Sequence, residues 1–313
     1  PYLDMDLDQS VIHDSYAAHA AKMNWIKILT AVILLDGACL VLFRHREKVL
    51  ALPLELFQNR KLIFALAKND FKTKYAGSYL GIVWAFIQPI VTVLVYWFVF
   101  QVGLKSPGAN GFPFVLWMIA GLVPWFFFSD VLNAGTNALL EYSYLVKKVV
   151  FKISILPMVK EISALFVHLF FMAFMVFLYS CYGYFPDLYF LQLFYYSFCV
   201  FVFSLGICYA TCAIVIFFRD LSQIISIVLQ VGIWVTPIMW NIDQVSMPAI
   251  VLKLLKLNPF YYIVQGYRDS LINKVWFFEH FDLTVYFWIV TLVLFGIGTI
   301  IFKRLKVHFA DVL

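Results

Sequence analysis

The chain has 313 residues, 64% hydrophobic and 13% charged, with a formal net charge of +5 and a mean hydropathy of +0.89. Globular proteins carry roughly 45–50% apolar and about 25% charged residues, so too few charges remain to cover a soluble surface, and disorder is excluded by the same excess of apolar residues. The chain reads as a polytopic membrane protein whose basic residues flank apolar runs, the pattern of a membrane-side bias rather than of nucleic-acid binding.

Residues 1–24 are polar, and the opening acids Asp4, Asp6 and Asp8 differ from the basic start of a cleavable secretory signal. The run Trp25 to Phe43 is apolar but broken by Lys27, Asp36 and Gly37, and Arg44, His45, Arg46 and Lys48 follow it. It is either a short span or a helix lying in the interface, so residues 1–48 form an N-terminal extension with room for one extra membrane helix. Residues 49–78 mix apolar and basic positions. Leu52, Leu56, Ile63 and Leu66 fall on one helical face, with Arg60, Lys61, Lys68, Lys72 and Lys74 among them. Such a stretch predicts an amphipathic interfacial helix on the cytoplasmic leaflet.

Six strong spans follow within 79–313, at about 79–102, 112–134, 155–182, 188–217, 221–240 and 282–302. The second contains Pro124 and the fifth Pro237, so neighbours must satisfy the freed backbone groups. Residues 241–281 are partly apolar but broken by Pro248 and Pro259, which predicts short re-entrant or surface helices. If 44–78 is cytoplasmic, the loops on that side hold 15 Lys and Arg residues and the other side holds 5. The positive-inside rule then places the C-terminus, with Lys303, Arg304 and Lys306, in the cytoplasm.

No P-loop occurs, and neither HExxH nor GxSxG is present. No metal site is expected: Cys39, Cys181, Cys199, Cys208 and Cys212 lie in or beside apolar runs and read as small buried hydrophobes. The third span carries Lys160, Glu161 and His168. Lys160 and Glu161 read as interfacial snorkelling or a local pair, and His168 as a structural hydrogen bond rather than a proton relay. Aromatic residues make up 19% of the chain. Many suit interfacial belts. Trp84, Tyr96, Trp97, Trp234 and Trp240 are the candidates for a lining on which sugar rings stack, because an aromatic face suits the C–H face of a pyranose.

Several segments, in order, carry a family resemblance: DFKTKYAGSYLGIVWAFIQP (70–89), GLVPWFFFSD (121–130), VKKVVFKISILP (146–157), FFRDLSQI (217–224), WVTPIMW (234–240) and NPFYYIVQGYRDSL (258–271). Over about 60–313 the chain resembles the type-2 ABC exporter permeases for polysaccharides and polyol phosphates, which serve O-antigen, capsule and wall teichoic acid export. The stretch 111–130 is similar to the teichoic acid branch. Asn69 stands where the family more often has arginine, and residues 1–50 lie outside the six-span pattern.

The resemblance implies an all-α, six-span permease without ATPase motifs, in the bacterial cytoplasmic (inner) membrane. It would work as a homodimer with two copies of a separate ATPase subunit that binds ATP and Mg. The segment 135–154 then corresponds to the coupling helix, with Glu141, Tyr142, Tyr144, Lys147 and Lys148 as contacts. Arg60 and Lys61 would meet lipid phosphates at a cytoplasmic gate, and Lys72 and Lys74 would attract the pyrophosphate of a lipid-linked glycan or polyol-phosphate polymer. The turn at Arg219 and Asp220 is either a structural salt bridge or a second coupling contact. Two other classes remain open from the residues alone: a membrane-embedded transferase or ligase for lipid-linked glycans, and an ion-coupled flippase. The scarcity of acids at mid-depth disfavours the second.

Overall fold

An apolar backbone deprived of water must satisfy its own hydrogen bonds, which long helices do. A computed structural model describes residues 46–74, 77–105, 108, 111–146, 151–242 and 245–312, and among these no strand occurs. The run 25–43 and the pair Lys147 and Lys148 lie outside the described residues. Two helices open the fold, α1 (Arg46–Gln58) and α2 (Arg60–Lys74). Long apolar helices follow: α3 (Gly81–Gly103), α4 (Phe114–Thr136), α7 (Ile153–Cys181), α8 (Leu188–Ile214) and α12 (Phe281–His308). Two one-turn helices, α5 (Ala138–Glu141) and α6 (Ser143–Val146), join α4 to α7. The others are α9 (Leu221–Val235), α10 (Ala249–Lys256), α11 (Pro259–Arg268) and α13 (Phe309–Val312).

Among the described residues, five helices are therefore long and apolar enough to cross a membrane. The fifth expected span is shorter than its apolar run. Residues 221–240 read as one span, but α9 stops at Val235, because Pro237 forces Thr236 into an extended conformation (ψ 129°). At 1.5 Å per residue, 15 residues cover only about 22 Å. Pro124, by contrast, stays inside α4.

Burial ranks the helices. In the apolar stretch of α4 83% of residues are buried within the chain, against 11% for α3. A helix apolar on every side belongs in the centre. α4 is that centre, and α7, α8, α9 and α11 pack around it. α12 joins through α8, where small residues let the backbones approach: a Cβ on Gly298 would lie 2.2 Å from the Gly206 carbonyl oxygen.

The basic amphipathic stretch is two helices, not one, with a break at Asn59, whose side chain donates to the Glu55 carbonyl at 2.6 Å. Leu52, Leu56, Ile63 and Ala67 form its buried face. α2 lies against α7, with Phe64 and Phe71 both edge-on to Phe166. On the other side of the spans, Asn258 caps α11 by accepting from the Phe260 N–H at 3.0 Å, and Pro259 occupies the first turn. The same side chain donates to Thr236 Oγ1 at 2.9 Å, so Asn258 also ties α11 to the end of α9.

Candidate functional site

α3, α4, α7 and α9 enclose a cavity of about 980 Å³. Its aromatic wall includes Trp84, Tyr96, Trp125, Phe126 and Trp234, and its polar groups include Gln88, Thr92, Ser129, Asn133 and Gln230. Their positions follow from helical spacing. Gln88 and Thr92 are one turn apart on α3, as are Ser222, Ser226 and Gln230 on α9. α9 and α4 run antiparallel and share a polar ladder, in which Ser222 donates to Asn137 Oδ1 at 2.7 Å and Ser226 to Asn133 Oδ1 at 3.1 Å. One turn further along, Ser129 and Gln230 face the cavity. Lys74, at the end of α2, lines it too and pairs with Asp130 at 2.7 Å.

Such a cavity, with apolar faces between amides and hydroxyls, suits a ligand with C–H faces and many hydroxyls. Of the five aromatic candidates, Trp84, Tyr96 and Trp234 line it. Trp97 does not, although like Tyr96 it is half-buried against the core. Trp240 does not line it either, and instead donates from Nε1 to the Trp234 carbonyl at 2.8 Å.

A second polar cluster lies beside this cavity. Lys160 is 8% exposed. Its Nζ contacts Asp70 Oδ1 at 2.7 Å and Glu141 Oε2 at 2.5 Å. Tyr142 donates to the same Asp70 oxygen at 2.7 Å, and the Lys160 ammonium sits 5.1 Å from the Tyr142 ring. Burial first, then the bond to Asp70, raises the Tyr142 phenol well above its ordinary value, which keeps the donor proton in place. This cluster fastens three elements together: α2 through Asp70, the α5–α6 segment through Glu141 and Tyr142, and α7 through Lys160.

That geometry corrects the expectation of a snorkelling or local Lys160–Glu161 pair. Adjacent residues on a helix point about 100° apart. Glu161 therefore faces α8, fully buried, and accepts from Ser204 at 2.5 Å. Sequence spacing alone hid the cluster, because Asp70 is 90 residues from Lys160. His168 is buried, 3.0 Å from Ser197 and 3.2 Å from Tyr267, and its ring stacks on Phe127.

The remaining candidates are placed as follows. Arg60 and Lys61 are exposed on α2, as is Lys72 near its end. Glu141 and Tyr144 are exposed, while Tyr142 is half-buried. Arg219 and Asp220 are both exposed, and no ion pair joins them to each other or to another described residue. Arg268 is 4% exposed, donates to the Ile238 carbonyl and stacks 3.4 Å over the Trp117 ring. Cys199, Cys208 and Cys212 are buried as small hydrophobes, but Cys181 is exposed at the end of α7.

Long apolar helices packed around a lined cavity are the architecture of a multi-pass membrane protein. Residues 61–272 match the model of the ABC-2 type transporter membrane family, and the chain belongs to that family. It is similar to the "O-antigen export system permease protein RfbA" of Myxococcus xanthus, at 30% identity over 72% of this chain and 84% of that protein. It is also similar to a protein of the same name from Klebsiella pneumoniae, at 25% identity over 80% of this chain and 95% of that one.

Proposed function

We propose that this chain is the permease subunit of an ATP-driven exporter that moves a lipid-linked O-antigen-type polysaccharide out of the cytoplasm. The observation that carries this is the cavity between α3, α4, α7 and α9, where Trp84, Tyr96 and Trp234 alternate with amides and hydroxyls and Lys74 stands at one end. Stacking on an aromatic face is repeated and weak, which suits a polymer that must slide. The similarity to permeases named for O-antigen favours a glycan over a teichoic acid.

In this reading the membrane is the bacterial inner membrane, and α9 with the residues that follow completes a sixth span. Residues 49–78 are the interfacial gate, and 79–313 is the permease domain. The side bearing α2, α5 and α6 is cytoplasmic, and so is the C-terminus. Two copies of the chain pair so that their α3 and α9 helices face one another across the path. The exposed α3 residues Leu94, Val95 and Phe98 and the α9 residues Ile227, Val228 and Val231 are surfaces free to do so. Two copies of an ATPase subunit supply ATP and Mg chemistry and dock on the segment 135–154 through Glu141, Tyr142, Tyr144, Lys147 and Lys148. Arg219 and Asp220, exposed at the turn before α9, provide a second contact. Lys72 and Lys74 draw the pyrophosphate of the carrier to the gate by the electrostatics that attract cations to anionic lipids, and Lys74 reaches it by exchanging Asp130 for phosphate.

The test uses the permease assembled with its ATPase in liposomes containing lipid-linked polysaccharide. Trp84→Ala, Tyr96→Ala and Trp234→Ala are each expected to lower export about two- to tenfold, the loss of one aromatic contact of about 0.5–1.5 kcal/mol. Trp97→Ala is expected to lower thermal stability while export per folded complex stays near wild type. Unchanged export in all three cavity variants would overturn the stacking mechanism, and absence of any ATP-hydrolysing partner in the purified complex would overturn the exporter reading.

A further inference from the structure

A second concavity, of about 560 Å³, lies on another face of the protein. The interfacial helices supply one wall with Phe57, Arg60 and Phe64, and α7, α8 and α12 supply the other with Ile162, Leu205 and Phe295. All of these except Arg60 are apolar. Arg60 is exposed, donates once to the Phe57 carbonyl at 3.1 Å and stacks 4.6 Å from the Phe57 ring. No carboxylate among the described residues pairs with it. Glu55, the nearest acid in sequence, accepts from Ser154 instead.

We infer that this groove is a binding site for a resident anionic phospholipid of the leaflet that carries α1 and α2, with an acyl chain along the apolar walls and the headgroup phosphate on Arg60. Three observations lead there. The groove joins interfacial helices to spans, which is the level of the headgroup and acyl boundary. Its single charged lining residue is a cation with donors to spare, and a guanidinium fork matches a phosphate. Finally, the groove and the transport cavity share no lining residue. Arg60 and Lys74 stand at the two ends of α2, about 20 Å apart along its axis. An occupant held there is off the polymer path, which marks a resident lipid rather than the carrier of the cargo. Held between α1, α2 and three spans, it would fix the interfacial pair against the bundle.

The naming of the leaflet as cytoplasmic rests on the proposed orientation; the binding itself does not. The full chain is purified in detergent, and retained lipid is measured by native mass spectrometry after exchange against phosphatidylglycerol or phosphatidylcholine. Wild type is expected to retain one phosphatidylglycerol in preference to phosphatidylcholine. Arg60→Gln is expected to reduce that preference about fivefold, the contribution of one basic residue to anionic-lipid attraction, while Arg60→Lys keeps most of it. Phe64→Ser is expected to weaken both lipids alike. Equal retention in wild type and Arg60→Gln would overturn the proposal. Displacement of the phosphatidylglycerol by a polyprenyl phosphate would also overturn it, by assigning the groove to the cargo's lipid. No ATPase, ATP or polymer enters the measurement, so its failure is distinguishable from failure of the exporter reading.

Discussion

Lys160→Met is expected to be among the most damaging single substitutions in this protein. Lys160 is the only cation within bonding distance of both Asp70 and Glu141 among the described residues. Removing one partner of a buried ion pair leaves the other charge uncompensated, at a cost of about 3–5 kcal/mol. Asp70 bears most of that cost, since it is 5% exposed, whereas Glu141 reaches solvent and contributes little. Thermal unfolding of the purified chain should show a large fall in midpoint. The double variant Lys160→Met with Asp70→Asn should recover part of the loss, because it strands no full charge. Tyr142→Phe should cost about 1 kcal/mol, the worth of one hydrogen bond to a charged acceptor at a half-buried site. If Lys160→Met unfolded at the wild-type temperature, the three elements would not be held by this cluster. The same cluster predicts a functional phenotype under the exporter reading. A complex that still assembles with Lys160→Met should hydrolyse ATP with reduced export, since the segment on which the ATPase docks is then no longer tied to α2 and α7.

Gly298→Val is expected to prevent normal packing of α12 on α8. A Cβ at 298 would approach the Gly206 carbonyl oxygen to 2.2 Å and the Ala210 nitrogen to 3.3 Å. Both are backbone atoms of a helix and cannot swing aside as a flexible side chain can. Gly206 is equally constrained from the other direction, with a would-be Cβ 2.9 Å from the Phe295 Cα. The helices would have to separate, and α12 has its most extensive packing on α8. Overpacking of this kind costs about 1–3 kcal/mol and more when the backbone itself must move. Gly298→Ala should already lower the thermal midpoint and the folded yield, and Gly298→Val should lower both further. Gly103→Ala is the control, since its Cβ would meet only the Phe98 carbonyl at an ordinary 3.6 Å. Equal midpoints for Gly298→Ala and Gly103→Ala would show that the α8–α12 crossing tolerates separation.

Much of the architecture is legible along the chain because it depends on neighbours within about one or two helical turns. The long apolar runs predict helices at 112–134 and 282–302, where the structure has 114–136 and 281–308. The buried face at Leu52, Leu56 and Ile63 follows from spacing alone, although the break at Asn59 does not. The end of α9 at Val235 was also readable, since Pro237 restricts the residue before it, but the apolar run continues to Trp240 and conceals the stop. Tyr96 and Trp97 show the limit most directly. They are adjacent, both aromatic and both packed in part on the core, yet only Tyr96 lines the cavity. One residue is about 100° of rotation on a helix, so composition cannot separate them while packing does.

The sequence by itself determined that this is an all-helical membrane chain, where its apolar stretches lie, and which loops concentrate the basic residues. Those properties are sums of local terms, the transfer of apolar side chains and the distribution of charge, and they need no knowledge of the fold. Only the tertiary structure decided which charges meet. Lys160 could have snorkelled to water or paired with Glu161 next to it. It instead pairs with Asp70 and Glu141, while Glu161 turns to Ser204. Desolvation is the reason: a lysine enclosed between α2, α5 and α7 is stable only with carboxylates at hydrogen-bond distance, and the helices that bring them there are far apart in the chain.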